Sequence, residues 1–107
     1  MFNFFNKTAS VPLQDIADHI LTPETGFIDV RTKDEYAGGH AKGATNIPLD
    51  IVTEHADNLK KFGRVYVICQ SGGRSARAVD LLSSLGVSAI NVPGGTIAWR
   101  SSGLPME

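Results

Sequence analysis

The chain contains 107 residues, of which 42% are hydrophobic and 20% are charged, and its formal net charge is -1. A chain of this length and composition can bury a core, which excludes global disorder, and its balanced charge gives no support for a nucleic-acid surface. No stretch approaches the roughly 20 apolar residues that a membrane span needs, and the first residues lack the cationic and apolar segments of a signal peptide.

Helix and strand signals alternate in the first third of the chain. Pro12 suits the first position of a helix, and apolar residues then recur at helical spacing as far as Ile20. Residues 27–30 are predicted to form a short buried strand. Thr32 and Glu35 stand three positions apart, which predicts a capping box at the start of a short second helix.

The middle of the chain continues this alternation. Residues 44–47 predict a brief strand, and Asp50 is expected to cap a helix whose apolar residues repeat every three or four positions as far as Phe62. Residues 65–68 form a continuous apolar run, which is typical of a central strand that is covered on both faces.

The last third adds one more strand and two helices. Apolar residues at helical spacing predict a helix that Gly86 closes, residues 89–92 predict a strand, and Pro93-Gly94-Gly95 leads into a final helix that carries Trp99. Alternating strands and helices indicate an α/β domain with a largely parallel sheet. We assign residues 1–10 to an N-terminal tail and residues 11–107 to this domain.

Cys69 is the only cysteine of the chain, and it directly follows the predicted central strand. One cysteine excludes an intrachain disulfide framework and a multi-thiolate zinc site. No metal is expected, and His40 is expected to hold a turn by hydrogen bonding. A single free thiol fits a reducing compartment, so we expect a cytoplasmic protein. A lone cysteine can also be a buried and inert core residue.

The residues after Cys69 predict a binding site for an anion. Gly72 and Gly73 can turn several backbone N–H groups inward, and the N-terminus of a helix follows. Arg74 adds a permanent positive charge. Because these features lower the pKa of a neighbouring thiol, we expect Cys69 to be an accessible thiolate near neutral pH.

Several residues of this loop allow two interpretations. Ser71 and Ser75 could cap the following helix, or their hydroxyls could bind a substrate oxygen. Gln70 is expected to face solvent and to contribute its backbone N–H group. Arg74 could instead form an ion pair at the surface.

The segment from Cys69 to Arg74, with Ser75 and Ala78 after it, resembles the active-site loop of the single-domain rhodaneses, which are sulfurtransferases. The resemblance runs from about Val11 to Pro105, and other segments match the family's signatures in order and spacing. These segments are Asp29-Val30-Arg31, Glu35-Tyr36, Gly39-His40, Gly43-Ala44, Asn46-Ile47-Pro48, Gly94-Gly95, Trp99 and Gly103-Leu104-Pro105.

The resemblance implies a rhodanese-like three-layer sandwich, in which helices flank a five-stranded parallel sheet. It also implies a ping-pong reaction that needs no cofactor. Cys69 attacks the outer sulfur of a small anionic donor such as thiosulfate, and sulfite leaves. A thiol, cyanide or a sulfur-accepting protein then takes the sulfur from the resulting persulfide.

The resemblance further assigns roles to residues around Cys69. The loop residues are expected to bind the donor and stabilise the persulfide: Gln70, Ser71, Gly72, Gly73, Arg74 and Ser75. Asp29 and Arg31 match family positions near the site, and we expect them to support either this loop or the helix that starts at Thr32.

Loop length separates two chemistries among proteins of this wider fold. Four residues stand between Cys69 and Arg74, as in the sulfurtransferases, whereas the related phosphatases and arsenate reductases have one more. The short loop favours a sulfur atom over a tetrahedral oxyanion. A phosphatase or arsenate reductase is one alternative, and a noncatalytic or sulfur-carrier binding module is the other.

Overall fold

The computed structural model describes residues 13–20 and 22–107. Residues 1–10, which were assigned to a tail, lie outside the described residues, as do Val11 and Pro12 at the expected start of the domain. The elements in chain order are α1 (Leu13–His19), β1 (Thr25–Asp29), α2 (Lys33–Ala37), β2 (Thr45–Asn46), a 3-10 helix (Leu49–His55), α3 (Ala56–Leu59), β3 (Arg64–Ile68), α4 (Gly73–Ser84), β4 (Ala89–Asn91) and α5 (Gly95–Ser101).

All strand pairs of the described sheet are parallel, and the strand order is β2-β1-β3-β4. Asp29 lies opposite Asn46 on one side and opposite Ile68 on the other. Asn91 lies opposite Val67. The carboxyl ends of the four strands therefore meet at one edge of the sheet, which is where ligands bind in open α/β folds.

The resemblance implies a sheet of five strands. The structure corrects this number, because the sheet has four strands within the described residues. The buried apolar residues outside these four strands lie in helices or in connections. An isolated antiparallel bridge joins Ala41 to Met106. Pro105 next to it has no N–H group with which to extend a ladder.

Alternation along β1 and β3 divides the buried side chains between the two faces of the sheet. On one face, Ile28, Val65 and Val67 pack with residues of the 3-10 helix, α3 and α4. On the other face, Phe27 and Tyr66 pack with residues of α1 and α5. The three-layer arrangement that was expected is therefore present, and Cys69 continues the row of the first face.

Local capping signals were only partly correct. The capping box at the start of α2 is present, because the Thr32 hydroxyl accepts the Glu35 N–H and the Glu35 carboxylate accepts the Thr32 N–H. Asp50 does not cap a helix, since it lies inside the 3-10 helix that begins after Pro48, and no side chain caps that helix. No helix among residues 13–20 and 22–107 is long and apolar enough to cross a membrane.

Candidate active site

Cys69 leaves the carboxyl end of β3 and enters a tight turn that ends at the first residue of α4. Gly72 has a φ of 115°, a left-handed conformation that glycine adopts without strain. This conformation directs the Gly72 N–H group at the sulfur, with 3.1 Å between N and Sγ. The turn therefore brings a backbone donor onto the thiol, as the two glycines of the sequence suggested.

Hydrogen bonds to Sγ favour the ionised form of Cys69. The Ser75 hydroxyl lies 3.2 Å from Sγ, and the backbone N–H groups of Ser75, Gly72 and Ser71 act in the same direction. Burial is the largest single effect and raises the pKa of the thiol, but these donors together outweigh it and lower the pKa below its ordinary value.

The expectation of an accessible sulfur is wrong for this structure, because Cys69 is only 1% exposed. Side chains alternate along β3, so Cys69 points to the same buried face as Val65 and Val67. Gln70 and Ser71, by contrast, are exposed. The thiol is thus a buried group with several hydrogen-bond donors around it, which distinguishes it from an inert core cysteine in apolar surroundings.

The N-terminus of α5 binds the backbone carbonyl groups of the loop. The Cys69 carbonyl accepts hydrogen bonds from the Thr96 N–H and hydroxyl, at 2.8 and 3.0 Å, and the Gln70 carbonyl accepts one from the Ile97 N–H at 3.1 Å. These contacts turn both carbonyls towards α5. As a result, the N–H groups of the following residues can face the sulfur.

Gly95 permits this close approach of α5 to the loop. Its φ is 62°, and a Cβ atom at this position would stand 2.5 Å from the Gln70 carbonyl oxygen and 2.6 Å from that of Cys69. No real Cβ atom fits at such distances. The second glycine of the pair that precedes the last helix is therefore required for the packing of α5 against the loop.

Arg31 and Asp29 form a buried pair beside the loop, with side chains 4% and 0% exposed. The Arg31 guanidinium donates to both Asp29 carboxylate oxygens, and its shortest contact is 2.8 Å. It also donates to the Gly39 carbonyl at 2.8 Å and approaches the Gln70 side-chain oxygen at 3.4 Å. Arg31 thus connects the end of β1 to the turn after α2 and to the loop.

Arg74 points to Glu35 across the loop. Two parallel hydrogen bonds of 2.7 and 2.9 Å join the guanidinium to the carboxylate, and the two side chains are 37% and 35% exposed. The pairing with Arg74, helped by the Thr32 N–H, lowers the pKa of Glu35 to about 2. The surface ion pair that the sequence left open is therefore present, and it offsets much of the positive charge expected of Arg74.

An open groove of about 570 Å³ adjoins this ion pair. Arg74 and Arg77 line it on the side of α4, and Pro48, Leu49 and Leu81 supply apolar walls. Arg74 is therefore the loop residue that borders this groove. The groove offers space for part of a substrate or partner beyond the sulfur itself.

Two functional candidates were missed by the sequence analysis. Thr96 fixes the Cys69 carbonyl, and Asn91 lies 2.5 Å from the hydroxyl of Ser75, which is fully buried. Neither residue belongs to a recognisable motif, and Asn91 is the polar end of an otherwise ordinary strand. His40 holds a turn, as predicted, through the contact of its Nδ1 with the Tyr36 carbonyl at 3.0 Å.

Residues 13–20 and 22–107 contain no cluster of three or more histidine, cysteine, aspartate or glutamate side chains that could hold an ion.

Comparison with known proteins gives a consistent result. The Rhodanese-like domain family matches residues 13–102. Thiosulfate sulfurtransferase 16, chloroplastic, of Arabidopsis thaliana is 32% identical over 105 residues, covering 86% of this chain and 88% of that protein. A sulfurtransferase of Allochromatium vinosum is 33% identical over 94 residues, covering 87% of this chain and 85% of that protein.

Solved structures show the same relationship. The crystal structure of a rhodanese-related protein from Thermoplasma volcanium superposes with a TM-score of 0.80 at 33% sequence identity, covering 92% of this chain and 96% of that one. The crystal structure of a thiosulfate sulfurtransferase from Pseudomonas aeruginosa gives a TM-score of 0.82 at 27% identity, over 92% of this chain and 19% of that one.

Proposed function

Because the chain belongs to the rhodanese-like domain family, we propose that it is a sulfurtransferase that carries sulfane sulfur on Cys69. The donor is a thiosulfate-type anion, and the acceptor is a small thiol, cyanide or a thiol of another protein. The observation that carries this proposal is the group of N–H and O–H donors around Sγ, which favours a thiolate in a buried position. A thiolate is the form that attacks sulfur.

The proposed reaction has two steps that balance without a cofactor. In the first, the Cys69 thiolate attacks the outer sulfur of thiosulfate, the S–S bond of the donor breaks, and sulfite leaves with the bonding electron pair. This leaves a persulfide whose terminal sulfur is negative. In the second, the acceptor attacks that terminal sulfur, the persulfide S–S bond breaks, and Cys69 is released as a thiolate.

The loop suits a persulfide better than a phosphoryl group. The donors that the structure places on Sγ come from residues of the short turn, and Arg74 is held by Glu35. A phosphatase or arsenate reductase would hold a tetrahedral oxyanion within the loop itself, and the turn here has only four residues between Cys69 and Arg74, one fewer than the loops of those enzymes. These features favour transfer of a single sulfur atom.

Access to the sulfur then requires movement of the loop surface. Gln70 and Ser71 are exposed, so they can be displaced at little cost in buried area, whereas the Cys69 and Gln70 carbonyls are held by α5. The groove beside Arg74 is where we place the rest of a larger acceptor. Because the reaction needs a reduced thiol, the proposal includes a reducing setting such as the cytoplasm.

Intact mass spectrometry tests this function. After exposure to thiosulfate and other sulfur donors, the protein is expected to gain the mass of one sulfur atom, and cyanide is expected to remove it. The Cys69→Ser variant should fold and gain nothing. A wild-type protein that stays unmodified with every donor would overturn the proposal, and loading without discharge to any acceptor would favour the sulfur-carrier alternative.

A further inference from the structure

Asn91, the last residue of β4, bridges two parts of the catalytic loop. Its Oδ1 lies 2.5 Å from Ser75 Oγ, and its Nδ2 lies 3.4 Å from the Gly72 carbonyl oxygen. The Gly72 carbonyl can only accept a hydrogen bond, so it fixes the amide with Nδ2 on that side. Asn91 therefore presents an acceptor to the Ser75 hydroxyl.

The Ser75 hydroxyl is a single donor between competing acceptors. It is fully buried, and it lies 3.2 Å from Cys69 Sγ, 3.2 Å from the Gly72 carbonyl oxygen and 2.5 Å from Asn91 Oδ1. A hydroxyl has one proton to donate. When that proton points at Asn91, the hydroxyl offers only lone pairs to Sγ, an arrangement that suits a neutral sulfur.

We propose that Asn91 is a positioning residue: its Oδ1 accepts the hydrogen bond of the Ser75 hydroxyl while Sγ is uncharged, and the hydroxyl donates to Sγ instead when Cys69 becomes a thiolate. This inference rests on the proposed sulfur-transfer function. It goes beyond that function because it links the charge on Cys69 Sγ to the acceptor that the Ser75 hydroxyl chooses, either Sγ or Asn91 Oδ1.

The proposal gives the hydroxyl a defined part in each step. In the resting thiolate, Ser75 donates to Sγ. In the persulfide the negative charge lies on the terminal sulfur, Sγ is neutral, and Ser75 turns to Asn91. When an acceptor attacks the terminal sulfur, the electron pair of the S–S bond returns to Sγ. The Ser75 hydroxyl then turns back and donates its hydrogen bond to Sγ. The hydroxyl bond stays intact throughout, so no proton is transferred.

The charged groups that face the site come from other elements and stay in place when Asn91 is changed. Arg74 on α4 is paired with Glu35 on α2, and Arg31 is paired with Asp29 at the end of β1. The contact from α5 comes from Thr96, which is uncharged. A change in the titration of Cys69 when an uncharged residue replaces Asn91 is therefore attributable to hydrogen bonding.

Titration of the thiol tests the proposal directly. Ultraviolet absorbance of the thiolate reports one group, because Cys69 is the only cysteine, and the Cys69→Ser protein supplies the blank. Asn91→Ala removes the competing acceptor, so the pKa of Cys69 is expected to fall by about one unit. Asn91→Asp supplies a stronger acceptor and a negative charge, so the pKa is expected to rise.

The pKa of Cys69 is expected to shift in opposite directions in the alanine and aspartate variants, and this separates the proposed role from a merely structural one. If Asn91 only braced the Gly72 carbonyl, both substitutions would loosen the turn and both would raise the pKa of Cys69. Asn91→Val, whose side chain suits a strand, repeats the acceptor deletion in case the alanine variant does not fold. A rise in the pKa with alanine or valine, or no change, would overturn the proposal.

A double-mutant cycle closes the test. Ser75→Ala alone is expected to raise the pKa of Cys69, and Asn91→Ala should then have no further effect in the Ser75→Ala background. An effect of Asn91→Ala that persists without the hydroxyl would also overturn the proposal. The titration needs no sulfur donor, so its failure is distinguishable from failure of the sulfur-loading experiment, which uses unaltered Asn91.

Discussion

Two arginine–carboxylate pairs lie beside the Cys69 loop, and they differ in burial. The inner pair, Arg31–Asp29, has side chains that are 4% and 0% exposed, whereas the rim pair, Arg74–Glu35, has side chains that are 37% and 35% exposed. Both pairs use several guanidinium–carboxylate hydrogen bonds. The same chemistry is therefore placed in two different dielectric environments.

The difference in burial determines what each pair can contribute to stability and to the local charge. A buried guanidinium has no water to replace a lost partner, so the inner pair must stay intact for the loop to keep its support. An exposed pair is screened by solvent and contributes little to stability. The rim pair instead sets how much positive charge an approaching anion meets, and it can be altered without unfolding the domain.

The largest expected effect comes from breaking the inner pair. Asp29→Ala leaves the Arg31 guanidinium buried without its carboxylate, and we expect the free energy of unfolding to fall by about 3–5 kcal/mol in denaturant titrations. The matched control is Asp29→Ala combined with Arg31→Met, which removes both charges and should recover much of the loss. A double variant that is no more stable than the single one would contradict this account of the inner pair.

Gly95→Ala tests the packing on the inner side of the loop. The added Cβ would meet the carbonyl oxygens of Cys69 and Gln70 at 2.6 and 2.5 Å, in a left-handed conformation, so we expect a loss of about 2–4 kcal/mol on thermal or chemical unfolding. Sulfur loading of Cys69 should slow as well. Gly103→Ala is the control, because it also has a positive φ but no atom within 4 Å of the added Cβ. Equal losses in the two variants would show that backbone strain alone matters.

Glu35→Gln tests the rim pair with little effect on folding. Glutamine can still complete the capping box, so the change in stability should stay within about 1 kcal/mol. Because Arg74 loses its neutralising charge, the rate of loading from thiosulfate at low salt is expected to rise about two- to fivefold, and added salt should reduce the gain.

The control for this variant is Thr32→Ala, which removes the cap and leaves the rim pair in place. It should cost about 1 kcal/mol of stability and leave the loading rate unchanged. If the two variants altered loading equally, the effect would come from the start of α2, and the electrostatic role of Glu35 would be lost.

The smallest expected effect is the change in the stability of the protein at low pH that comes from Glu35. Because the pKa of Glu35 is lowered to about 2 in the folded protein, its pairing adds stability above the ordinary value of 4.5 and loses it as the pH falls towards 2. Nuclear magnetic resonance of the Glu35 carboxyl should show this low midpoint, and Arg74→Met should move it upward. An unchanged midpoint in that variant would mean that Thr32 alone holds the carboxylate.

Much of the site could be predicted because its signals are local. The strand, the glycine turn and the helix start are contiguous around Cys69, and the capping box of Thr32 and Glu35 depends on a spacing of three. The resemblance to the rhodaneses added the order of the distant motifs. The number of strands that it implied was five, whereas the described residues form four. The motifs themselves do not specify how many strands the sheet contains.

The features that the sequence missed depend on packing between distant segments. Glu35 reaches Arg74 across 39 positions and Asn91 reaches Ser75 across 16, and each contact requires the crossovers that align the strand ends. The burial of Cys69 was missed for a similar reason. Its position after a strand was evident, but how completely the surrounding helices cover the sulfur depends on packing between segments that are distant in the sequence.

The central claim is that hydrogen-bond donors outweigh burial and lower the pKa of the Cys69 thiol. Titration of the wild-type thiol by ultraviolet absorbance, with Cys69→Ser as the blank, measures this most directly. The account predicts a pKa clearly below the value of about 8.5 for an unperturbed cysteine. A pKa at or above that value would mean that desolvation prevails, and the sulfur would then be an ordinary core thiol.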